Sequence, residues 1–103
     1  LVFRSGERYY EADWKSNYIA RGYGESGMLE AMDEHNYHLQ YKIYSLGLVL
    51  WLRQTLGEAF DYERHYGGAL YLFLRGLDPE RPREGLFFRR PEADELQTLM
   101  EGL

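Results

Sequence analysis

The first fifteen residues carry the pattern of two short strands separated by a turn. Residues 1–4 and 8–15 are rich in apolar and aromatic side chains, and Ser5-Gly6-Glu7 between them is typical of a tight hairpin turn. Residues 16–27 then carry three glycines together with serine and asparagine, which predicts a loop that ends at a helix start near Ser26 or Gly27. A short helix is expected over residues 28–35.

A second helix is predicted over residues 37–56, with Asn36 as its cap. Apolar residues recur along it at intervals of three and four, as on a buried helix face: Leu39, Ile43, Leu46 and Leu50. Three more apolar residues widen this surface almost to the full circumference: Val49, Trp51 and Leu52. We therefore expect this helix to be largely buried, with Leu46 and Leu50 on its packed side.

The second half of the chain predicts two further strands and a last helix. Residues 58–65 form a polar connection, and residues 68–74 are apolar on both faces, as in a central strand that is covered on two sides. Residues 75–85 contain two prolines and predict a surface loop, followed by a short edge strand over residues 86–88. Pro91 opens a helix whose apolar residues share one face: Ala93, Leu96, Met100 and Leu103. The predicted order is β-β-α-α-β-β-α.

Composition places the chain among folded single domains. It has 103 residues, of which 45% are hydrophobic and 17% aromatic, and it has no cysteine, no signal-peptide pattern and no apolar run of the ~20 residues that a membrane span needs. These features predict a soluble, cytoplasmic protein without disulfides or thiolate metal sites. The net charge of −5 weighs against DNA binding, because neutralisation of phosphates normally demands a basic face, although a bound Mg²⁺ ion would supply local positive charge.

The candidate chemistry lies at the end of the second strand, in Asp13-Trp14-Lys15. Alternate strand residues point to the same face, so Asp13 and Lys15 project together, about 7 Å apart along the strand. A carboxylate and an ammonium so placed suit metal-assisted hydrolysis of a phosphodiester. A surface ion pair is the alternative, because an acid two places before a lysine is expected roughly 0.3 times by chance in this composition.

Other polar residues offer weaker candidates. Gln40 and Tyr44 are i,i+4 neighbours on the long helix, where they form either part of a site or an amide and a phenol at the core edge. His35 and His38 are candidates for a zinc site, and no acid is fixed beside them. Tyr18 and Tyr23, beside Arg21, are candidates for stacking on single-stranded bases, the alternative being aromatic cover for a loop.

Three blocks of sequence resemble the RecB-type nuclease domain of exonuclease V, a family of the PD-(D/E)-x-K nuclease superfamily. The blocks are residues 9–17 (YYEADWKSN), 39–44 (LQYKIY) and 65–76 (HYGGALYLFLRG). The resemblance implies an α/β, restriction-endonuclease-like fold with a mixed central sheet flanked by helices. It also implies that Asp13 and the Trp14 carbonyl are Mg²⁺ ligands, that Lys15 is the catalytic lysine, and that Gln40 and Tyr44 form the family's Gln-x-x-x-Tyr motif.

The same resemblance implies where further ligands lie. The family's first metal-binding aspartate precedes the strand that corresponds to Leu1-Val2-Phe3, and a histidine ligand lies further upstream. We therefore expect residues 1–103 to form one partial nuclease domain, truncated at its amino-terminal side and inactive or nearly inactive by itself.

The function implied by the resemblance is Mg²⁺-dependent DNA hydrolysis by an ATP-dependent helicase–nuclease in double-strand-break repair and recombination. The implied partners are single-stranded DNA and RecC- and RecD-like subunits, and the recombinase RecA is a further candidate. The helicase and ATP-binding parts have no room in this chain. The alternative is a non-catalytic interaction module that docks a recombinase or the sister subunits.

Overall fold

A computed structural model describes residues 1–102 and begins with the expected hairpin. Strand β1 (Val2–Ser5) pairs antiparallel with strand β2 (Arg8–Lys15), so that Val2 lies opposite Glu11 and Ser5 lies opposite Arg8. Gly6 has a φ of 63°, a left-handed conformation that glycine adopts without steric cost. The predicted hairpin and its turn are confirmed.

The two later strands complete a four-stranded mixed sheet in the order β1-β2-β3-β4. Strand β3 (Tyr66–Phe73) pairs parallel with β2, and strand β4 (Leu86–Arg89) pairs antiparallel with β3 at the edge. The parallel register sets Asp13 opposite Tyr71 and Lys15 opposite Phe73. The mixed central sheet predicted from the sequence is confirmed.

Four helices accompany the sheet. Helix α1 (Glu25–Glu34) begins before the predicted residue 28, and helix α2 (Tyr37–Leu56) has the predicted bounds. Helix α3 (Tyr62–His65) is one turn within the stretch expected to be a polar connection, and helix α4 (Ala93–Glu101) follows Pro91. Of the apolar face predicted for α4, Leu96 is buried, and Leu103 lies outside the described residues.

Asn36 is the N-cap residue of α2, as predicted. It stands at the N-cap position with φ 57° and ψ 33°, and its side chain makes no capping hydrogen bond. Asparagine tolerates this left-handed conformation better than most residues, and the conformation reverses the chain between α1 and α2. Its contribution as the cap is therefore backbone geometry and not a side-chain hydrogen bond.

The predicted packed side of α2 is wrong for three of the four residues in its stripe. Leu39, Ile43 and Leu50 are 44%, 49% and 42% exposed, and only Leu46 of these four is buried. Val49 and Leu52, which were expected to widen the buried surface, are buried, and so are Tyr41, Ser45 and Leu48, whereas Trp51 is 49% exposed. Because apolar residues surround the whole helix, their spacing alone did not single out the face that meets the sheet.

The core consists of two clusters around α2. One joins α1 and the start of α2 to the sheet, with Met28 and Met32 packed against Tyr71 and Phe73. The other joins the second half of α2 to α4 and to Tyr66 at the start of β3. Both lie on the helical side of the sheet, and they hold β2, β3 and α2 in a fixed relation.

The opposite sheet face is apolar and partly open to solvent. The register sets Trp14, Leu72 and Leu86 in one row, and their neighbour Phe88 lies in the next row. Trp14 is 53% exposed and Phe88 is 44% exposed. The prediction that β3 is covered on two sides therefore holds for the helical face and not for this one among residues 1–102. Within the same residues, no helix has the length and apolarity that crossing a bilayer requires.

Candidate active site

Asp13 and Lys15 meet at the end of β2. Both side chains project toward the helices, and Lys15 Nζ lies 3.0 Å from Asp13 Oδ2. The Lys15 side chain is 14% exposed and that of Asp13 is 34% exposed, so the pair is more shielded from water than an ordinary surface ion pair. The structure thus brings together the two residues that the sequence pattern singled out.

Tyr71 and Gln40 form the wall beside this ion pair. Tyr71 stands opposite Asp13 in the parallel ladder, and its hydroxyl donates to Gln40 Oε1 over 2.5 Å. Burial raises the pKa of Tyr71, and the negative charge of Asp13 raises that pKa further. Tyr71 is therefore a protonated donor at neutral pH, and it fixes the orientation of the Gln40 amide.

Tyr44 is one helical turn beyond Gln40 and lies at the mouth of a groove. The groove has a volume of about 810 Å³ and runs between α2 and the first two strands. Asp13 and Tyr71 line it, and Tyr44 is half-exposed on its helical wall. The remaining lining is mostly apolar and includes Val2, Ile43, Leu48, Trp51 and Leu70. Of the four polar residues predicted for the site, Asp13 and Tyr44 line the groove. Lys15 and Gln40 do not line it, and they adjoin it through the contacts of Lys15 with Asp13 and of Gln40 with Tyr71.

Tyr71 was missed as a site residue by the sequence analysis. It lies in a continuous apolar stretch, where a tyrosine is an ordinary core residue. Its position beside Asp13 depends on the register between β2 and β3, and no local pattern gives that register. The only available signal was that Tyr71 belongs to the third block of the resemblance, in which no role was assigned to it.

A buried carboxylate lies two residues before Asp13 on the same strand face. Glu11 is 8% exposed, and its Oε1 accepts hydrogen bonds from Ser45 Oγ at 2.5 Å and from Tyr66 Oη at 2.7 Å. Burial raises the pKa of Glu11 above its ordinary value, and the two hydrogen bonds offset part of that increase. The network ties β2 to α2 and β3 directly beneath the groove.

This carboxylate should give the fold a pH dependence of definite sign. Between the ordinary glutamate pKa and the raised pKa of folded Glu11, the unfolded chain binds fewer protons than the folded chain, so stability falls as pH rises through that window. Glu11→Gln should remove this loss while it keeps an acceptor for Ser45 and Tyr66. Urea unfolding with chelator present, at pH values from about 4 to 7, measures the effect.

The matched control for that experiment is Glu58→Gln, which alters an exposed side chain. The urea midpoint of Glu11→Gln relative to the unmodified chain should rise as the pH is raised, whereas that of Glu58→Gln should not. Identical pH profiles for the unmodified chain and Glu11→Gln would contradict the assignment.

The donor set at the end of β2 suits a hard divalent cation. Asp13 supplies a carboxylate, of which Oδ2 is bound to Lys15. Ala12 exchanges both of its backbone hydrogen bonds with Leu1, and strand carbonyls alternate in direction, so the Trp14 carbonyl points to the same edge of β2 as that of Ala12. Asp13 and Trp14 therefore supply a carboxylate and a backbone carbonyl at the same end of β2, which are the kinds of oxygen ligand that Mg²⁺ prefers. Residues 1–102 contain no group of three or more Asp, Glu, His or Cys side chains arranged around one point.

The histidine pair does not form a metal site in the described chain. His38 Nε2 lies 3.0 Å from Asp33 Oδ1, whereas the ring of His35 stacks on Tyr37 at 5.2 Å. The two rings have different partners, and no third ligand joins them. The zinc hypothesis receives no support from this arrangement.

The loop after β2 is held by hydrogen bonds to its aromatic residue Tyr23. The Tyr23 hydroxyl accepts from the Ile19 amide at 3.2 Å and donates to the Asn17 carbonyl at 3.0 Å. These hydrogen bonds fix Tyr23 against the loop. They favour the interpretation of Tyr23 as aromatic cover for the loop over stacking on bases. Tyr18 is 76% exposed, and Arg21 pairs with Glu30.

Comparison with known proteins finds similarity to one subunit of a bacterial enzyme complex. The chain is 46% identical over 96 residues to the RecBCD enzyme subunit RecB of Escherichia coli, in a match that covers 90% of the chain. It is 40% identical over its full length to the same subunit of Haemophilus influenzae. The chain is RecB-like over almost its whole length.

More distant RecB subunits extend this relationship. The subunit of Mycobacterium tuberculosis is 39% identical over 75 residues, which is 70% of the chain. The RecB-like chain spans 8% of the length of the Escherichia coli and Haemophilus influenzae subunits that it matches. No family model matches the chain.

Proposed function

We propose that this chain is part of the nuclease domain of a RecB-type protein and that it takes part in Mg²⁺-dependent hydrolysis of DNA phosphodiesters. The observation that carries the proposal is the shielded Asp13–Lys15 pair, with Nζ and Oδ2 3.0 Å apart at the end of a groove. The similarity to RecB subunits and the family blocks seen in the sequence support the same assignment.

Each polar residue of the site has a distinct role in this proposal. The Asp13 carboxylate and the Trp14 carbonyl would hold Mg²⁺, which supplies neutralisation of phosphate charge and a more acidic bound water. Lys15 places a positive charge beside Asp13, where it stabilises the negative charge that develops on the phosphate. Gln40, held by Tyr71, and Tyr44 contribute hydrogen-bonding groups to the neighbouring phosphate or to the ligand shell.

The proposal extends to the setting of the reaction. The substrate is a DNA single strand released from an unwound duplex, and RecC- and RecD-like subunits deliver it in the cytoplasm during double-strand-break repair and recombination. The net charge of −5 is consistent with delivery of the DNA by other subunits, because the chain by itself lacks the excess of basic residues that an independent DNA-binding protein needs. Helicase and ATP-binding functions belong to other parts of such a protein.

A second candidate function is docking of a protein partner. The observation that favours it is the apolar sheet face with Trp14 and Phe88 about half exposed, since exposed apolar patches of this kind mark interaction surfaces. RecA and the sister subunits are the candidate partners. The two functions are compatible because this face and the Asp13–Lys15 pair lie on opposite sides of the sheet.

The direct test of the nuclease proposal is a chimera in which this chain replaces the matched segment of the Escherichia coli RecB. Assembled with RecC and RecD, the chimera should degrade linear DNA with Mg²⁺ and ATP and should stop when Mg²⁺ is chelated. The 103-residue chain alone should bind Mg²⁺ weakly and leave DNA intact, because hard-cation sites of this kind need more protein oxygens than Asp13 and Trp14 offer.

Two outcomes would contradict this assignment. A chimera that assembles and unwinds DNA without cleaving it, beside an active native enzyme, would remove the nuclease role. Robust metal-dependent degradation by the isolated chain would place the metal site elsewhere in residues 1–103.

A further inference from the structure

The Lys15 ammonium lies in a corner formed by two tyrosine rings. Its Nζ is 4.1 Å from the centre of the Tyr37 ring and 5.3 Å from the centre of the Tyr71 ring. Both distances are within the ~6 Å range in which a cation is attracted to an aromatic face. The third side of the corner is Asp13 Oδ2, at 3.0 Å. One carboxylate and two aromatic faces thus surround a single ammonium group.

The two rings are themselves fixed in place by their hydroxyl groups. Tyr71 is 3% exposed, donates to Gln40 Oε1 and lies 3.3 Å from the Tyr37 carbonyl oxygen. The Tyr37 hydroxyl is hydrogen-bonded to the side-chain amide of Asn17. The rings contact one another edge to face, with centroids 5.6 Å apart. Neither ring can rotate away from Lys15 without breaking a hydrogen bond.

The second lysine of the chain provides a contrast. Lys42 lies on α2 and has no carboxylate and no aromatic ring within interaction distance of its ammonium among residues 1–102. The corner around Lys15 is therefore a local construction and not a general feature of lysine in this chain.

We propose that Tyr37 and Tyr71 form an aromatic clamp that positions the Lys15 ammonium for the phosphate, which makes Tyr71 a positioning residue of the nuclease site. This inference rests on the proposed function. A lysine side chain has four rotatable carbon–carbon bonds and holds no fixed position by itself, whereas catalysis is sensitive to displacements of about 1 Å. The clamp removes that freedom by attraction to the ring faces and leaves the ammonium charge in place.

The clamp has a spectroscopic signature that does not depend on activity. Protons over an aromatic face resonate upfield, and the chain has only two lysines, so the Lys15 and Lys42 side-chain ε-CH₂ signals are separable in a ¹H–¹³C spectrum. In the 103-residue chain, the Lys15 signal should lie upfield of the Lys42 signal. Tyr71→Phe should keep this shift because the ring remains, and Tyr71→Leu should move the signal toward that of Lys42.

Two further variants keep the test decisive. Tyr37→Leu removes the nearer ring at a half-buried position, and it replaces Tyr71→Leu if that variant fails to fold. Tyr62→Leu is the matched control, because Tyr62 is also half-buried and faces a cation, Arg90, away from this site. An unshifted Lys15 signal in the unmodified chain would overturn the clamp, as would a shift that survives both Tyr71→Leu and Tyr37→Leu.

The positioning role is tested in the chimera with the Escherichia coli RecB. Tyr71→Leu should lower kcat for DNA cleavage by roughly 10- to 100-fold with little change in KM, because the misplaced ammonium acts on the developing charge and not on DNA capture. Tyr62→Leu should leave kcat within about twofold. An unchanged kcat in Tyr71→Leu would overturn the positioning role. A chimera without any Mg²⁺-dependent cleavage would overturn the proposed function, while the lysine spectrum would still decide whether the clamp exists.

Discussion

Asp13→Asn in the chimera with the Escherichia coli RecB should lower the rate of DNA cleavage by at least about 100-fold, because it removes a charged metal ligand. Lys15→Arg should lower it roughly 100-fold although the positive charge remains. Arginine is longer and planar, and the space between the Tyr37 ring at 4.1 Å and Asp13 Oδ2 at 3.0 Å is fitted to a compact ammonium. Single-turnover cleavage of linear DNA at saturating Mg²⁺ measures both effects.

The matched control for the lysine is Lys42→Arg, which makes the same chemical change at a lysine outside the candidate site. It should cleave at close to the unmodified rate. DNA unwinding by the same preparations separates damage to the nuclease from failure of the complex to assemble. Wild-type cleavage by the Lys15→Arg chimera would require a catalytic role for this lysine to be abandoned.

Leu52→Ala should destabilise the chain by roughly 2 to 5 kcal/mol, because it removes a fully buried side chain and leaves a cavity. Leu52 is 0% exposed and belongs to the second core cluster, together with Leu96 of α4 and Tyr66 of β3. Leu50→Ala makes the same change two residues earlier on the same helix, where the side chain is 42% exposed, and it should cost less than about 1 kcal/mol. Urea unfolding of the two variants measures the difference.

This pair of variants tests the orientation of α2, which the spacing of apolar residues did not reveal. If Leu50→Ala were as destabilising as Leu52→Ala, the face of α2 that meets the sheet would have to be reassigned. Gln40 and Tyr44 would then have to be reassigned as well, because the rotation of α2 about its axis also determines where their side chains lie.

Local patterns in the sequence predicted the elements well. A glycine turn between two short apolar stretches is a sufficient signal for the β1–β2 hairpin, and twenty residues without proline between Asn36 and Gly57 are sufficient for α2. Such patterns did not identify the face of α2 that packs against the sheet. Its buried side includes a polar residue, Ser45, whose burial makes sense only beside Glu11 and Tyr66.

The candidate site could be predicted only as far as it is local in the chain. Asp13 and Lys15 are two residues apart on one strand, so their common face follows from strand geometry alone. The position of Gln40 against Tyr71 depends on the packing of a helix on a strand much later in the chain. That contact arises from tertiary structure, and the sequence carried no signal for it.

The parallel pairing of β2 with β3 has a consequence for the order of folding. The β1–β2 hairpin joins neighbours in the chain, whereas the β2–β3 ladder pairs Tyr9 with Tyr66 and encloses α1 and α2 in the loop that must close. Contacts between residues so far apart form slowly, because the entropy of closing the loop is lost before the contacts compensate for it. Asp13 and Lys15 lie beyond the last residue of β2 that pairs with β1 among residues 1–102, and their strand partners are Tyr71 and Phe73 of β3. The end of β2 that carries the ion pair is therefore fixed only when the ladder closes. A partly folded chain that holds only the hairpin and the helices would therefore lack both the strand support of Asp13 and Lys15 and the Tyr71 wall beside them.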